Sequence, residues 1–439
     1  MSQIVFDLAL SLRGGAEGSY YITLDNDGYI NTLNLTETEA PEFAKKALAY
    51  ASTKTISAIS TATDTTDNGD GTQTITYNNV EMGYYLVDSS VGALCSLNTT
   101  NLTATIKEKN SVPTVDKKVR RKGVGDYENN KTADMGQVLE FKTTITVGDG
   151  PQNYVLHDVM DSGLTYDPST LKISYQLVVD GPFYNLNNTN YSTPTVTDGH
   201  TFDVEFKQTF LDNLKKDCKI SIKYEATLNE NAKTQDGNVN ETWLNYGDNN
   251  TSNKATATIK TFRIPVLKFY KINPRDPETP LAGAKFKLST SSTADLNNNA
   301  DFIKFVSDPT DTSYPNVYRK AVDTDTDTTT ELTSNDAGYA TFKGLADGRY
   351  FLYETKAPKG YNKLKNPVLI LINDTGLLSY QISGGTMQFV PARDPVRIEN
   401  KTGTVLPSTG GVGTTMMYIV GAVLLIGSGV LLITKKNVK

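Results

Sequence analysis

The chain has 439 residues, of which 21% are charged, and its formal net charge is −6. This length suggests about three domains, and the acidic balance argues against a nucleic-acid-binding surface. Only two cysteines and two histidines occur, which excludes a disulfide framework and disfavours a zinc site. The sequence contains no P-loop motif, so a P-loop ATPase is not supported.

Most of the chain predicts β-strands. Seven segments alternate polar and apolar residues or are rich in Val, Ile, Thr and Tyr: QTITYNNV (73–80), YYLVD (84–88), LEFKTTITV (139–147), LKISYQLVV (171–179), FDVEFKQTF (202–210), KISIKYEATL (219–228) and VLKFYKI (266–272). Residues 36–52, with an early acidic turn and later lysines, predict a helix. Many short strands between Gly, Asn and Asp turns favour a mainly β fold of tandem β-sandwiches.

Proline-containing segments at 107–119 and 261–269 separate strand-like runs and predict linkers. The predicted units are domains at 1–111, 112–261 and 262–402, followed by a C-terminal segment at 403–439.

Residues 416–433 read MMYIVGAVLLIGSGVLLI and carry no charge. A helix of this length rises about 27 Å and can cross a bilayer core. Lys435, Lys436 and Lys439 follow, so the positive-inside rule leaves this tail in the cytoplasm and the rest of the chain outside. The first residues show no basic and apolar leader, and we expect either that the export signal is missing from this numbering or that the start is misassigned.

Directly before the apolar segment stand Leu406, Pro407, Ser408, Thr409 and Gly410. They resemble the LPxTG sorting signal of Gram-positive surface proteins, and the apolar span and lysine tail make the resemblance specific. It implies that a sortase cysteine attacks the Thr409 carbonyl and that an amine resolves the acyl-enzyme. The chain would be the substrate of sortase, and the C-terminal helix would hold only the precursor in the membrane.

The third predicted domain resembles the immunoglobulin-like Cna-B type. The resemblance rests on VLKFYKINPRDPETPLAGAKFKL (266–288), YFLYETKAPKGY (350–361) and VRIENK (396–401). It implies an isopeptide crosslink between a first-strand lysine and a last-strand asparagine, assisted by an acid.

The matching residues are Lys268, Asn400 and, as the catalytic acid, Glu354. Lys271 is the register alternative, because it points to the other face of the strand. The chemistry is physically reasonable, since burial favours a neutral lysine amine. A buried carboxyl is pushed toward protonation, so it can polarise the amide and relay a proton.

The second predicted domain resembles the central Cna-type domain of fimbrial backbone subunits, in SVPTVDKKV (111–119), HDVMDSGLTYDPSTLKI (157–173), YEATLNENA (224–232) and GNVNETWLNYGDNN (237–250). The resemblance implies a second bond, from Lys117 to Asn240, which we place at the start of the last strand. Asp158 is the implied acid. Lys118 is the alternative amine, and Glu205 is the alternative acid.

Residues 83–110 resemble the N-terminal domain of the same subunits. No lysine precedes Lys45, so the first strands have no amine and we expect no crosslink there. The family often carries an intermolecular acceptor lysine in a YPKN-like segment at the end of this domain. The corresponding segment here reads KEKN, which favours Lys109 and leaves Lys107 open.

Together these resemblances imply a major, or backbone, pilin that forms a covalent surface shaft anchored to the cell wall. The implied partners are pilus-type and housekeeping sortases, other copies of the chain, tip or ancillary pilins, and peptidoglycan. A monomeric wall-anchored adhesin or an ancillary pilin that binds a host ligand is the alternative. We expect no cofactor, no metal, and no enzymatic activity beyond single-turnover crosslinking. We also expect no bridge between Cys95 and Cys218, which lie in different predicted domains.

Overall fold

The computed structural model describes residues 112–194, 199–247 and 250–400, together with short segments between residues 22 and 103. The short segments form three antiparallel strand pairs: β1 (Ile22–Leu24) with β2 (Ile30–Leu33), β3 (Asp64–Asp67) with β4 (Gln73–Thr76), and β5 (Gly83–Val87) with β6 (Ala93–Leu97). Among the described residues, no helix combines the length and apolarity that a membrane crossing needs. The predicted helices at 36–52 and 416–433 lie outside them.

Two facing sheets form the first β-sandwich, which we call the central sandwich. Its first sheet has the order β13-β12-β16-β10-β7-β8, with β7 (Thr114–Arg121), β8 (Val124–Glu128), β10 (Val138–Thr146), β12 (Leu164–Tyr175), β13 (Tyr184–Asn185) and β16 (Lys219–Leu228). Its second sheet has the order β14-β15-β11-β17-β19-β9, with β18 also pairing β17; the strands are β9 (Asn130–Thr132), β11 (Val155–Met160), β14 (Tyr191–Ser192), β15 (Phe202–Phe206), β17 (Asn238–Tyr246), β18 (Asn250–Thr251) and β19 (Ala255–Lys260).

Alternation along the strands builds the core of the central sandwich. Strand β10 buries every second residue, including Leu139, Phe141 and Ile145. These side chains meet Leu156 and Leu244 of the other sheet in one apolar cluster. Because successive side chains of a strand point to opposite faces, the residue that precedes or follows a core position faces outward.

A second pair of sheets forms the C-terminal sandwich. One sheet has the order β21-β20-β26-β24-β23, with β31 also pairing β20; its strands are β20 (Phe262–Tyr270), β21 (Thr279–Pro280), β23 (Phe305–Ser307), β24 (Val317–Lys320), β26 (Tyr339–Leu345) and β31 (Val396–Asn400). The other has the order β25-β22-β27-β28-β29-β30, with β22 (Lys285–Ser289), β25 (Leu332–Thr333), β27 (Gly348–Lys356), β28 (Val368–Ile372), β29 (Leu378–Gln381) and β30 (Gln388–Val390).

Helical structure is short within the described residues. It consists of one α-helix, α1 (Gln208–Leu211), and two 3₁₀ turns at Asn188–Asn190 and Asn299–Asp301. The predicted strand 202–210 therefore ends at Phe206, where β15 stops and α1 follows.

The predicted linker at 261–269 is wrong as a linker, because the segment belongs to the buried strand β20. Its proline, Pro265, stands just before Val266, the first residue that pairs with β31. A proline is tolerated there because the missing N–H removes no bond from that ladder. The predicted linker at 107–119 likewise overlaps a strand, since β7 begins at Thr114.

The two sandwiches meet through a polar junction. The Asp134 carboxylate pairs with Lys320 Nζ at 2.8 Å and accepts the Ala346 N–H at 2.7 Å. Next to it, the Met135 N–H donates to the carbonyl of Gly344 at 2.9 Å. Main-chain and side-chain bonds therefore both link the central sandwich to the C-terminal one.

Candidate functional site

Lys117 is fully buried in the central sandwich. It lies on β7 between Val115 and Val119, and all three side chains face the core because they are two residues apart. An amine without solvent contact needs polar partners close by.

The Lys117 amine has three hydrogen-bond partners, the side chains of Asp158, Tyr224 and, at 3.5 Å, Thr143. Nζ is ion-paired and hydrogen-bonded to Asp158 Oδ2 and donates to the Tyr224 hydroxyl at 2.6 Å. The Tyr224 hydroxyl donates to Asp158 Oδ2 at 2.7 Å and accepts the Asn240 Nδ2–H at 2.9 Å. The structure therefore brings Lys117, Asp158 and Asn240 together, with Tyr224 bonded to all three.

Burial shifts the proton affinities of this cluster in the direction that amide chemistry needs. Desolvation lowers the pKa of Lys117, although the charge of Asp158 opposes the shift. Desolvation also raises the pKa of Asp158 against the opposing effect of Lys117. Both shifts favour a neutral amine beside a protonated acid.

The alternatives in this sandwich lie elsewhere. The Lys118 side chain is 41% exposed and pairs loosely with Asp116 at 3.7 Å. Glu205 is exposed and accepts a bond from Ser192, so it points away from the core. The expectation that Asn240 opens the last strand is wrong: Asn240 lies on β17, and β18 and β19 follow.

Lys268 is the corresponding buried lysine of the C-terminal sandwich. It lies on β20, and its Nζ is 2.9 Å from Glu354 Oε1 on β27 of the facing sheet. Both side chains are fully buried, and desolvation lowers the pKa of Lys268 although Glu354 opposes this. The register alternative, Lys271, is partly exposed and pairs with Glu278 at 3.6 Å.

Asn400 ends β31, the strand that runs parallel to β20. Lys268 is paired with Ile398 and Tyr270 with Asn400. Ile398 and Asn400 are two residues apart and both are buried, so they share the inward face. Asn400 is therefore the diagonal neighbour of Lys268 on that face.

Unsatisfied polar atoms are concentrated in these two clusters. Ten buried side-chain nitrogen or oxygen atoms of the described residues have no hydrogen-bond partner, and half belong to the two lysine clusters. They are Asp158 Oδ1, Asn240 Oδ1, Lys268 Nζ, Glu354 Oε1 and Asn400 Nδ2. Lys268 Nζ and Glu354 Oε1 still face each other as an ion pair at 2.9 Å. The other three atoms cost free energy while they stay unpaired.

Tyr224 is the residue of this candidate site that the sequence reasoning missed. Its strand, β16, alternates Ile220, Ile222, Tyr224 and Ala226 toward the core, and that pattern could have placed its hydroxyl inside. The pKa of Tyr224 is raised well above its usual value, chiefly by burial, so the hydroxyl keeps its proton. Lys107, Lys109 and residues 406–410 lie outside the described residues.

Two segments of the chain match known protein families. Residues 266–386 match SpaA, described as a prealbumin-like fold domain, and residues 398–439 match the LPXTG cell wall anchor motif. The trypsin-resistant surface T6 protein of Streptococcus pyogenes serotype M6 is 24% identical over 284 residues, which is 58% of this chain and 44% of that protein. The chain thus spans less than half the length of this curated relative.

Solved pilin structures are similar at low identity. The T6 backbone pilin of Streptococcus pyogenes serotype M6 is 20% identical with a TM-score of 0.49, over 80% of this chain and 75% of that one. A C-terminal fragment of the major pilin GBS80 of Streptococcus agalactiae is 19% identical with a TM-score of 0.43, over 66% of this chain and all of that one. The chain therefore carries a prealbumin-like fold domain of the SpaA type and, at its C-terminal end, the LPXTG motif of cell-wall-anchored surface proteins.

Proposed function

We propose that the chain is the shaft subunit of a covalently polymerised pilus, strengthened by one internal isopeptide bond in each sandwich. The observation that carries the proposal is the burial of two lysines, Lys117 and Lys268, each against a buried acid and beside a buried asparagine. A buried ion pair is weak evidence for stability, because desolvation offsets most of its attraction. A lysine that is consumed in an amide escapes that cost.

In the central sandwich, the neutral Lys117 amine attacks the side-chain carbonyl carbon of Asn240. Protonated Asp158 donates to the amide oxygen and relays a proton to the departing nitrogen, so that ammonia leaves. The product is one amide between the two side chains, and no oxidant or cofactor is consumed. Its N–H and C=O can pair with Asp158, which supplies the partners that Asp158 Oδ1 and Asn240 Oδ1 lack.

In the C-terminal sandwich, Lys268, Asn400 and Glu354 take the same three roles. Glu354 Oε2 is already held by the Leu364 N–H at 2.8 Å, which leaves Oε1 to face the amine. We assign 112–261 and 262–402 as the two crosslinked domains and 1–111 as an N-terminal domain without such a bond.

Polymerisation uses the anchor motif. A sortase thiolate attacks the Thr409 carbonyl and releases the part of the chain that begins at Gly410. The Lys109 amine of another copy then displaces the thiol and forms the intermolecular amide, and the last subunit is transferred to peptidoglycan. The protein is a substrate in this reaction and turns over no substrate of its own.

Co-expression with a pilus-type sortase tests the proposal. We expect a ladder of multimers that survives boiling in detergent, and we expect Lys109→Ala to abolish it while Lys107→Ala leaves it intact. The reverse result would move the acceptor to Lys107. A wild-type chain that forms no ladder would overturn the shaft role and favour a monomeric adhesin or an ancillary pilin.

A further inference from the structure

Both histidines of the chain lie side by side on the central sandwich. Strand register places Asp203 of β15 and Trp243 of β17 on either side of His157 on β11. His200, just before β15, lies next to this row, and its ring is tilted against that of His157 with a centroid distance of 4.7 Å. Four residues from three strands and one loop thus form a compact cluster, which we call the histidine cluster.

Asp203 connects the two rings. Its Oδ1 lies 2.8 Å from Nδ1 of His157 and 3.0 Å from Nδ1 of His200. The side chains are only 12–14% exposed, so little water competes for their polar atoms. His157 Nε2 is buried without a hydrogen-bond partner in the described part of the chain, which leaves that ring with an unused polar atom.

We propose that His157, His200 and Asp203 form a binding site for a transition-metal dication such as Zn²⁺. One ring nitrogen from each histidine and one oxygen of Asp203 all lie within 4.8 Å of one another. Ligand atoms around tetrahedral zinc are about 3.3 Å apart when each bond is about 2.0–2.1 Å long, so small side-chain adjustments suffice. Two imidazoles and one carboxylate suit Zn²⁺, Co²⁺ and Ni²⁺ rather than Ca²⁺ or Mg²⁺.

The site is separate from the proposed crosslink although the two share a strand. His157 and Asp158 are adjacent on β11, so they point to opposite faces of the sheet. Asp158 faces the core and Lys117, whereas His157 faces the outside of the sandwich. Metal binding and ammonia loss can therefore be measured, and can fail, independently.

The cluster contains its own reporter. Trp243 is the only tryptophan of the chain, and its ring centroid is 5.3 Å from His157 and 5.1 Å from His200. A Co²⁺ ion bound between these rings will quench the tryptophan fluorescence at short range. Zn²⁺, which has a filled d shell, should displace Co²⁺ and restore the emission.

The experiment is a Co²⁺ titration of the purified, untagged chain. We expect saturable quenching with one ion per chain, visible absorption bands of tetrahedral Co²⁺, and reversal by Zn²⁺ or a chelator. His200→Ala and Asp203→Asn should each weaken binding by about tenfold or more, because each removes one of three ligands. Glu205→Gln is the matched control, since Glu205 is on the strand of Asp203 but is exposed and contacts Ser192.

Two results would overturn the metal site. One is a wild-type chain without saturable quenching. The other is Co²⁺ affinity unchanged in both His200→Ala and Asp203→Asn, which would place the ion elsewhere. Asp203→Asn keeps the size of the side chain, so it remains informative if His200→Ala fails to fold. Circular dichroism of each variant separates lost binding from lost structure.

Discussion

Lys117 and Asn240 approach each other from opposite sheets of the central sandwich, and both bond to one hydroxyl group, that of Tyr224. In the C-terminal sandwich the arrangement differs, because Lys268 and Asn400 lie on neighbouring strands of one sheet. A bond between Lys117 and Asn240 would covalently link the two sheets of the central sandwich. In the second case the bond would join two adjacent strands of the same sheet.

The first prediction concerns the intact mass. Each condensation releases one ammonia, about 17 Da, so the purified chain should be lighter than its sequence formula by two such losses. Lys117→Met and Lys268→Met should each reduce the mass deficit from two ammonia molecules to one, since each variant removes one attacking amine. Mass spectrometry of the intact chain, followed by peptide mapping, measures both.

Lys118→Met and Lys271→Met are the matched controls for these variants. Both lysines are partly exposed and paired with other acids, so neither substitution should change the mass deficit. A deficit that disappears in a control variant would show that the amine was assigned to the wrong lysine.

The second prediction concerns Tyr224. In Tyr224→Phe the ring still stacks on Phe141, but the hydroxyl that contacts Lys117, Asp158 and Asn240 is gone. We expect crosslinking of the central sandwich to slow by about tenfold or more, because positioned hydrogen bonds contribute on this scale. The mass deficit of the C-terminal sandwich should be unchanged, which provides an internal control. If Tyr224→Phe loses both ammonia molecules at the wild-type rate, Tyr224 contributes only to packing.

The third prediction concerns stability and proteolysis. Asn400→Ala removes the acyl partner but keeps the ion pair of Lys268 with Glu354. A crosslink that closes roughly 130 residues is worth about 4–5 kcal/mol by loop-closure entropy, so the variant should unfold at a lower temperature. Trypsin should also cleave the variant faster, because the transiently unfolded form that trypsin can cleave is more populated.

Asn366→Ala serves as the control for Asn400→Ala, since Asn366 is an exposed asparagine of the same sandwich that bonds to Ser383. The melting temperature of this control by calorimetry and its rate of cleavage by trypsin should both equal those of the wild type. Equal melting temperatures for wild type and Asn400→Ala would mean that no bond forms at this position.

The fourth prediction concerns acid. Burial alone would raise the pKa of Asp311, but hydrogen bonds from Ser313 and Lys343 outweigh it and lower the pKa from 3.8 to about 2. A lowered carboxyl pKa stabilises the fold above the unfolded-state value, and that contribution is lost as the pH falls from 3.8 toward 2.

We expect Asp311→Asn to reduce the acid-induced loss of stability by about 1 kcal/mol, after allowance for solvent screening. Thermal unfolding at about pH 5 and about pH 2.5 measures it, since most of the contribution is lost between these values. The exposed Asp336 gives the comparison variant, Asp336→Asn, which should keep the wild-type pH dependence. A parallel shift of Asp311→Asn at both pH values would argue for lost packing rather than lost charge.

The sequence predicted the mainly β architecture well, because strand alternation is a local property. It could also have chosen between Lys117 and Lys118, since Lys117 shares the spacing of Val115 and Val119. It misplaced Asn240 because it did not count β18 and β19, which follow β17 within the same predicted domain.

Contacts between distant strands were beyond the sequence. Tyr224 reaches Asn240 across the gap between two sheets, and His157 meets Asp203 only because their strands pair in one particular register. Composition alone, with two histidines in 439 residues, gave no reason to expect that they share one site. Residue types can be read one at a time, but register depends on which strands become neighbours.

The parallel pairing of β20 and β31 has a mechanical consequence. The chain enters the C-terminal sandwich at Phe262 and leaves it at Asn400, on adjacent strands that run in the same direction. Pulling the two ends apart slides these strands past each other, so five paired residues resist in shear at once instead of unzipping in turn. An amide from Lys268 to Asn400 would carry the load through covalent bonds, and the residues between them would then be shielded from the pull.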